Sequence, residues 1–252
     1  LGGGRRLYDA NGDIYQLLRY GAKVKTGAGE HRQTVLLVDW ENPQNNDFAV
    51  AEEVSIPGSQ YDKRPDVVLY LNGIAVAVLE LKRSSVSVSE GIRQNIANQQ
   101  REFCETFFTT VQLLFAGNDS EGLRYGVIET PEKYYLKWKE DGAPDNLGDL
   151  DADLCCMCEK SRLLEILHDF MVFDNGAKKT CRPNQYFGIK AAQARLNQRQ
   201  GGIIWHTQGS GKSLTMVWLA QWILERGDNH RVLIITDRTE LDEQIKKVFE
   251  NT

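Results

Sequence analysis

No stretch of these 252 residues stays apolar for anything near the roughly 20 positions that a helix needs to cross a bilayer. The opening run, Leu1-Gly-Gly-Gly-Arg-Arg6, lacks the form of a secretion signal. A cytoplasmic chain without membrane contact is the expectation. Net positive charge is also missing: the formal balance is −5. That excludes a surface that grips nucleic acid all over, yet it leaves room for a local basic groove. Cysteines number five, and none falls in paired metal-ligand spacing. Cys155-Cys156-Met157-Cys158 suggests zinc at first sight, but no second ligand pair accompanies it, and reduced thiols are expected. Internal repeats and low-complexity stretches are absent too. What remains is 41% apolar and 26% charged, enough for one large domain or two modest ones.

Up to about residue 140 the pattern reads as strands with turns. Thr34–Asp39 is an apolar run followed by a polar loop at Asn42–Asn46. Asp66–Leu71 and Ile74–Lys82 flank Asn72-Gly73, a hairpin signal. Ser89–Phe108 reads as a helix, Val111–Ala116 as a buried strand, and Gly126–Glu129 as a strand beside it. Asp141–Asp153 is acidic and rich in turn formers, hence a loop and a boundary. Leu163, Leu164, Ile166, Leu167, Phe170 and Met171 suit an amphipathic helix over Ser161–Val172. A second boundary falls near Asn175–Pro183. Beyond it come a helix at Tyr186–Arg199, a strand at Gly202–Trp205, a helix at Lys212–Arg226 and a strand at Val232–Thr236. Strand, helix and strand in that order imply a parallel sheet.

Chemistry in the first part rests on Asp66 and on Glu80-Leu81-Lys82. Two hard carboxylate ligands, Asp66 and Glu80, suit Mg²⁺ held against a scissile phosphate, with the Leu81 carbonyl as a possible third oxygen. Lys82 would orient or help deprotonate the attacking water and offset developing negative charge. Glu80 and Lys82 stand two apart on a strand and so share a face. The turn sets a condition. A simple two-residue Asn72-Gly73 loop pairs residue 66 with residue 79 and puts Asp66 and Glu80 on opposite faces. A three-residue loop, or one bulge, pairs 66 with 80 and unites the carboxylates. A working site therefore requires a departure from the simple turn. The bland alternative is a strand that surfaces, with all three side chains solvated.

The run Arg64-Pro-Asp-Val-Val-Leu-Tyr-Leu-Asn-Gly-Ile-Ala-Val-Ala-Val-Leu-Glu-Leu-Lys82 resembles the PD-(D/E)xK nucleases, and in particular the R (motor and endonuclease) subunit of type I restriction enzymes. The resemblance implies a restriction-endonuclease-like mixed sheet flanked by helices. It also implies a Gln near the site on the following helix: Gln94 is the candidate, with Gln99 and Gln100 as competitors. The variant pattern with an aromatic four residues on is not met from Gln94, where Asn98 stands. Many relatives carry a further acid on an upstream helix, and none stands out here.

His206-Thr-Gln-Gly-Ser-Gly-Lys-Ser213 sits between an expected strand and an expected helix, the setting of a phosphate-binding loop. Gly209, Ser210 and Gly211 would turn backbone N–H groups towards phosphate oxygens; Lys212 would reach the β and γ phosphates, and the Ser213 hydroxyl would ligate Mg²⁺. The strict pattern fails only at its first position, His206. Arg182-Pro-Asn-Gln185 resembles the adenine-reading Gln motif of superfamily-two helicases, so Gln185 would select ATP. Ile234-Ile-Thr-Asp-Arg-Thr-Glu-Leu-Asp242 resembles the next helicase motif.

Both resemblances follow the type I order, nuclease before motor. They imply a nuclease domain over 1–153, a helical linker over 154–183 and the start of an incomplete RecA-like parallel α/β domain over 184–252. They also imply duplex DNA as substrate, Mg²⁺ and ATP as cofactors, and methyltransferase and specificity subunits as partners. Such an enzyme pulls DNA by ATP hydrolysis and cuts away from its recognition sequence. No acidic Walker B-type motif or arginine finger follows the loop, so this stretch alone is not expected to hydrolyse ATP efficiently, and the parent chain is expected to be longer. Two rivals stay open: a nuclease-helicase of another repair or phage-defence system, and an inactive nuclease fold serving as a docking module beside an ATP switch. Gly117–Gly122 and Glu129–Lys133 look like further family segments for which surface turns suffice.

Overall fold

A computed structural model describes residues 5–25, 27, 31–140, 142, 147–227 and 230–235. The chain divides into two compact units, Leu1–His168 and Asp169–Thr252.

The first unit is built on a five-stranded mixed sheet with helices packed against it. Its strands are β3 (Phe48–Glu52), β4 (Val67–Leu71), β5 (Ile74–Leu81), β6 (Leu113–Asn118) and β7 (Gly122–Gly126), in that spatial order. Only β5 and β6 run parallel; every other neighbouring pair is antiparallel. The parallel pair needs a crossover, and helix α2 (Val88–Asn98) supplies it. Central β5 and β6 are near-continuous apolar runs, as strands covered on both faces must be. Helix α1 (Leu7–Tyr20) precedes a small hairpin of β1 (Ala22–Val24) and β2 (Gln33–Val35). Leu7, Ala10 and Leu18 fall on one stripe of α1 and are buried. Asn11, also buried, points its amide at the carbonyls of Phe108, Thr109 and Val111 (2.8–3.1 Å), fixing the helix to the turn before β6. The core joins Leu7, Ile56, Val78, Phe108, Val111, Leu114 and Ile128.

Several expectations shift. The helix expected over Ser89–Phe108 stops at Asn98 and gives way to turns, because the side chains of Asn95, Asn98 and Gln99 bond across to the sheet or back onto the chain rather than facing solvent. The strand expected at Thr34–Asp39 is confined to Gln33–Val35. The one expected at Gly126–Glu129 lies earlier, since Gly122 turns with φ +71 directly into β7. Part of the loop expected over Asp141–Asp153 is already helical, in α3 (Asp149–Cys158). Helix α4 (Lys160–Asp169) ends before Met171.

The second unit opens with a hairpin, β8 (Met171–Asp174) and β9 (Ala177–Thr180), around Asn175-Gly176, where a boundary was expected. Helices α5 (Pro183–Asn197) and α6 (Lys212–Glu225) follow. Phe170 stacks within 4.9 Å of Tyr186 and 6.0 Å of Trp218, giving this unit its own apolar centre. Neither expected strand of the parallel pair forms in the described residues: 202–205 and 231–235 carry no ladder. Ile203, Trp205, Leu233 and Ile235 remain exposed, because an apolar strand segment without a hydrogen-bonded neighbour has no sheet face to bury. Thr236–Asp242, most of the second helicase-like motif, lies outside the described residues. Among the described residues no helix is long and apolar enough to cross a membrane.

Candidate functional site

The turn between β4 and β5 has Asn72 at φ +50 and Gly73 at φ +78, the paired left-handed conformation of a two-residue hairpin. Leu71 pairs with Ile74 and Tyr70 with Ala75, but Leu69 then pairs with Ala77, leaving Val76 as an extra residue. After that bulge Val67 faces Leu79, so Asp66 falls opposite Glu80 rather than Leu79. The turn is the simple one, and the bulge supplies the one-residue shift that a shared carboxylate face demands.

Asp66 Oδ2 accepts the N–H of Leu81 at 2.7 Å, which fixes one carboxylate at the end of β5. Glu80 is fully buried. Its Oε1 accepts from Asn98 Nδ2 at 3.3 Å, and its Oε2 has no hydrogen-bond partner. Burial, followed by repulsion from Asp66, pushes the Glu80 carboxyl up to about 8. Lys82 Nζ stands 3.9 Å from Glu80 Oε2 and donates to Gln94 Oε1 at 2.7 Å. Asp66, Glu80, Lys82 and Gln94 therefore converge on one end of the hairpin. Gln99 does not join them: it donates to the Asn95 carbonyl and accepts from the Glu129 N–H. The contact missed in the sequence is Asn98, one helical turn after Gln94, whose only visible sign was that i, i+4 spacing.

A buried carboxylate with an orphaned oxygen, beside a second carboxylate, is a costly arrangement unless a proton or a cation neutralises it. The donor set, two carboxylates and no thiol or imidazole, suits a hard ion such as Mg²⁺. The residues present fit that group.

The approach of α2 depends on Gly91. A Cβ there would meet Ala116 Cβ at 3.2 Å and Glu80 Cβ at 3.5 Å. The connection from Lys82 to α2 is held by the turn after β6. Lys82 N–H bonds to the Gly117 carbonyl, Asn118 Nδ2 to the Val86 carbonyl, and Glu121 Oε1 accepts the Val88 N–H at the start of α2. Gly117–Gly122 thus acts as a staple rather than a plain surface turn.

In the second unit, Gly209 (φ +77) and Gly211 (φ +84) adopt the left-handed conformation that curls the loop into the N-terminus of α6, where Lys212 and Ser213 begin the helix. Lys212 Nζ folds back to the carbonyls of Thr207 (2.9 Å) and His206 (3.3 Å), and Ser210 Oγ donates to Thr207 O. Gln185 is buried: its Oε1 accepts the Arg182 N–H, and its Nε2 donates to the Gly211 carbonyl at 2.9 Å. Arg182 also donates to the Gly209 carbonyl. Each end of the Gln185 amide thereby spends one hydrogen bond on backbone and keeps one N–H and one lone pair. The loop curled into a helix N-terminus, with a lysine at its mouth, fits the phosphates of a nucleotide. Among the described cysteines none is paired in a disulfide, and burial raises the Cys158 and Cys181 thiols.

Residues 2–133 match the family described as type I restriction enzyme R protein N terminus, just over half of the chain. Residues 184–252 match the SWI2/SNF2 ATPase family. The chain is 29% identical over 265 residues to the type I restriction enzyme HindI endonuclease subunit of Haemophilus influenzae, covering 95% of this chain and 25% of that protein. It is 28% identical to the putative type I restriction enzyme MjaIXP endonuclease subunit of Methanocaldococcus jannaschii, covering 94% of this chain and 26% of that one. With the SsaAORF53P endonuclease subunit of Staphylococcus saprophyticus the identity is 27%, over 81% of this chain and 22% of the relative. The chain thus spans about a quarter of the length of these curated relatives. A matched region of this extent settles the kinship: the chain belongs to the type I restriction enzyme R protein family.

Proposed function

We propose that this chain carries the phosphodiester-cleaving site, and the nucleotide-binding start of the motor, of a type I restriction endonuclease subunit that cuts duplex DNA away from its recognition sequence after ATP-driven translocation. The observation that carries the reading is the bulge at Val76, which brings Asp66 opposite buried Glu80 while Lys82 shares that face. A solvated strand end needs neither the bulge nor a buried carboxylate.

Asp66 and Glu80 would hold Mg²⁺, which supplies charge neutralisation at the scissile phosphate and a more acidic bound water. Asp66 is oriented for this by the Leu81 N–H, and Glu80 by Asn98. Lys82 would orient the attacking water and offset the negative charge that develops on the phosphate, and its bond to Gln94 holds it 3.9 Å from Glu80. Lys212 and the N–H groups of Gly209, Ser210 and Gly211 would receive the phosphates of ATP; Ser213 would complete its Mg²⁺ shell, and Gln185 would meet its base. The division into nuclease (1–153), linker (154–183) and motor (184–252) goes with this reading. Methyltransferase and specificity subunits would supply base recognition, since no element among the described residues has the form of a base reader.

The test is cleavage of circular duplex DNA by the full-length subunit assembled with those partners, in Mg²⁺ and in Ca²⁺. Asp66→Asn abolishes cutting on this reading; uncut DNA in Ca²⁺ and cut DNA in Mg²⁺ accompany it. Normal cutting by Asp66→Asn returns the first unit to the docking-module reading.

A further inference from the structure

Two residues along a strand advance about 6.6 Å, and four along an α-helix about 6 Å. A strand pair at i, i+2 and a helix pair at i, i+4 are therefore nearly commensurate. In this fold the strand pair is Glu80 and Lys82, and the helix pair is Gln94 and Asn98. Each strand residue meets one helix residue: Lys82 bonds Gln94, and Glu80 bonds Asn98. Gly91 lets the helix lie close enough for both contacts. Asn95 and Gln99 tie the same helix down, Asn95 to the Phe115 carbonyl of β6 and Gln99 to the Glu129 N–H.

Asn98 is buried, and only its donor end is used. Its Oδ1 has no partner, and neither has Glu80 Oε2. Two acceptors without a hydrogen-bond partner sit on residues in direct contact, while the adjacent cation, Lys82, bonds Gln94 and reaches Glu80 Oε2 only at ion-pair distance, 3.9 Å. A cluster with surplus acceptors favours an occupant that brings only positive charge and hydrogen-bond donors. A hydrated divalent cation has that chemistry, and an anion does not.

We propose that Asn98 is a positioning residue for the cation site: its amide N–H restrains one oxygen of Glu80 so that the other faces the cation, and its own carbonyl oxygen receives a water of that cation's shell. This rests on Glu80 being a cation ligand. Asn98 belongs with the supporting groups that orient a ligand rather than with those that touch the reacting atoms.

Binding of Mn²⁺ to the full-length subunit, without DNA or nucleotide, tests this by calorimetry or by the loss of the free-ion electron-spin signal. Asn98→Leu is expected to weaken Mn²⁺ about tenfold, a typical cost of losing such a supporting group. Asn98→Gln, which keeps the amide, recovers most of the affinity. ATP hydrolysis by the assembled enzyme stays at the wild-type level in both, showing that the chain is folded. If Leu prevents folding, Asn98→Ser removes the amide without adding bulk and carries the same expectation. Wild-type Mn²⁺ affinity in Asn98→Leu, or equal weakening in the Leu and Gln variants, overturns the proposal. Glu80→Ala is measured in parallel. If it too binds Mn²⁺ as wild type does, the cation site itself is refuted; if it alone weakens, only the role of Asn98 is.

Discussion

The ammonium of Lys82 lies closer to the amide oxygen of Gln94 (2.7 Å) than to the carboxylate of Glu80, its neighbour two residues back on the same strand (3.9 Å). On the proposed reading, Lys82 is thereby held off the Glu80 carboxylate and left free to meet the attacking water. Gln94→Leu releases it to pair with Glu80. Single-turnover cleavage by the assembled enzyme should fall on the order of tenfold, as for loss of other groups that orient a reacting residue. Gln94→Glu keeps an acceptor and should fall less. Wild-type rates in Gln94→Leu would remove Gln94 from the site.

The raised Glu80 carboxyl makes a signed prediction. In the folded, metal-free protein Glu80 keeps its proton to about pH 8, whereas the unfolded chain releases it near its ordinary value of 4.5. The unfolded state therefore binds fewer protons across that window, and stability falls as pH rises through it, by up to about 1.4 kcal/mol per unit. Unfolding in EDTA should show this slope, and Glu80→Gln should flatten it. A divalent cation competes with the same proton, so its affinity should climb with pH and level off near pH 8. A wild-type slope that persists unchanged in Glu80→Gln contradicts the assignment.

Gly91 lets helix α2 lie close against β5 and β6. Gly91→Val forces its branched side chain against Ala116 and Glu80 and should cost about 1–3 kcal/mol, the range for overpacking a filled core. Urea unfolding of the full-length subunit measures it. Cleavage should drop further than stability alone explains, because Gln94 and Asn98 ride on the displaced helix. A neutral Gly91→Val would mean that the helix has slack.

In the second unit, Gln185 spans from the Arg182 N–H to the Gly211 carbonyl, at the loop that leads into α6. Gln185→Ala leaves both backbone groups without that partner and should cost about 1–3 kcal/mol while weakening nucleotide binding. Melting temperature and ATP affinity of the full-length subunit read the two effects separately. Unchanged values in both would reduce Gln185 to a helix-capping residue.

Much of the β4–β5 hairpin was legible because Asn-Gly between β-rich runs dictates a left-handed turn, and because two carboxylates can share a face only through a one-residue shift. The same Asn-Gly signal at 175–176, φ +47 and +81, forms a second hairpin that reads as a boundary when helix periodicity is allowed to run through Met171. Helix α1 was illegible for another reason: Asn11 and Gly12 are poor helix formers, and Asn11 is retained for its bonds to the carbonyls before β6. Strand signals at 202–205 and 232–235 are real in composition, but a strand is made by its neighbours, and no ladder partner is present among the described residues. Asn98 went unassigned because its bond to Glu80 joins positions 18 apart, which the i, i+4 spacing from Gln94 does not by itself reveal.

The most direct test of the two-site account is plasmid cleavage and ATP hydrolysis measured together, by the full-length subunit assembled with methyltransferase and specificity partners, for wild type, Glu80→Ala and Lys212→Ala. The account predicts that Glu80→Ala loses cutting and keeps ATP hydrolysis, while Lys212→Ala loses both. Normal cutting by Glu80→Ala would contradict it and leave the hairpin carboxylates without a role in cleavage.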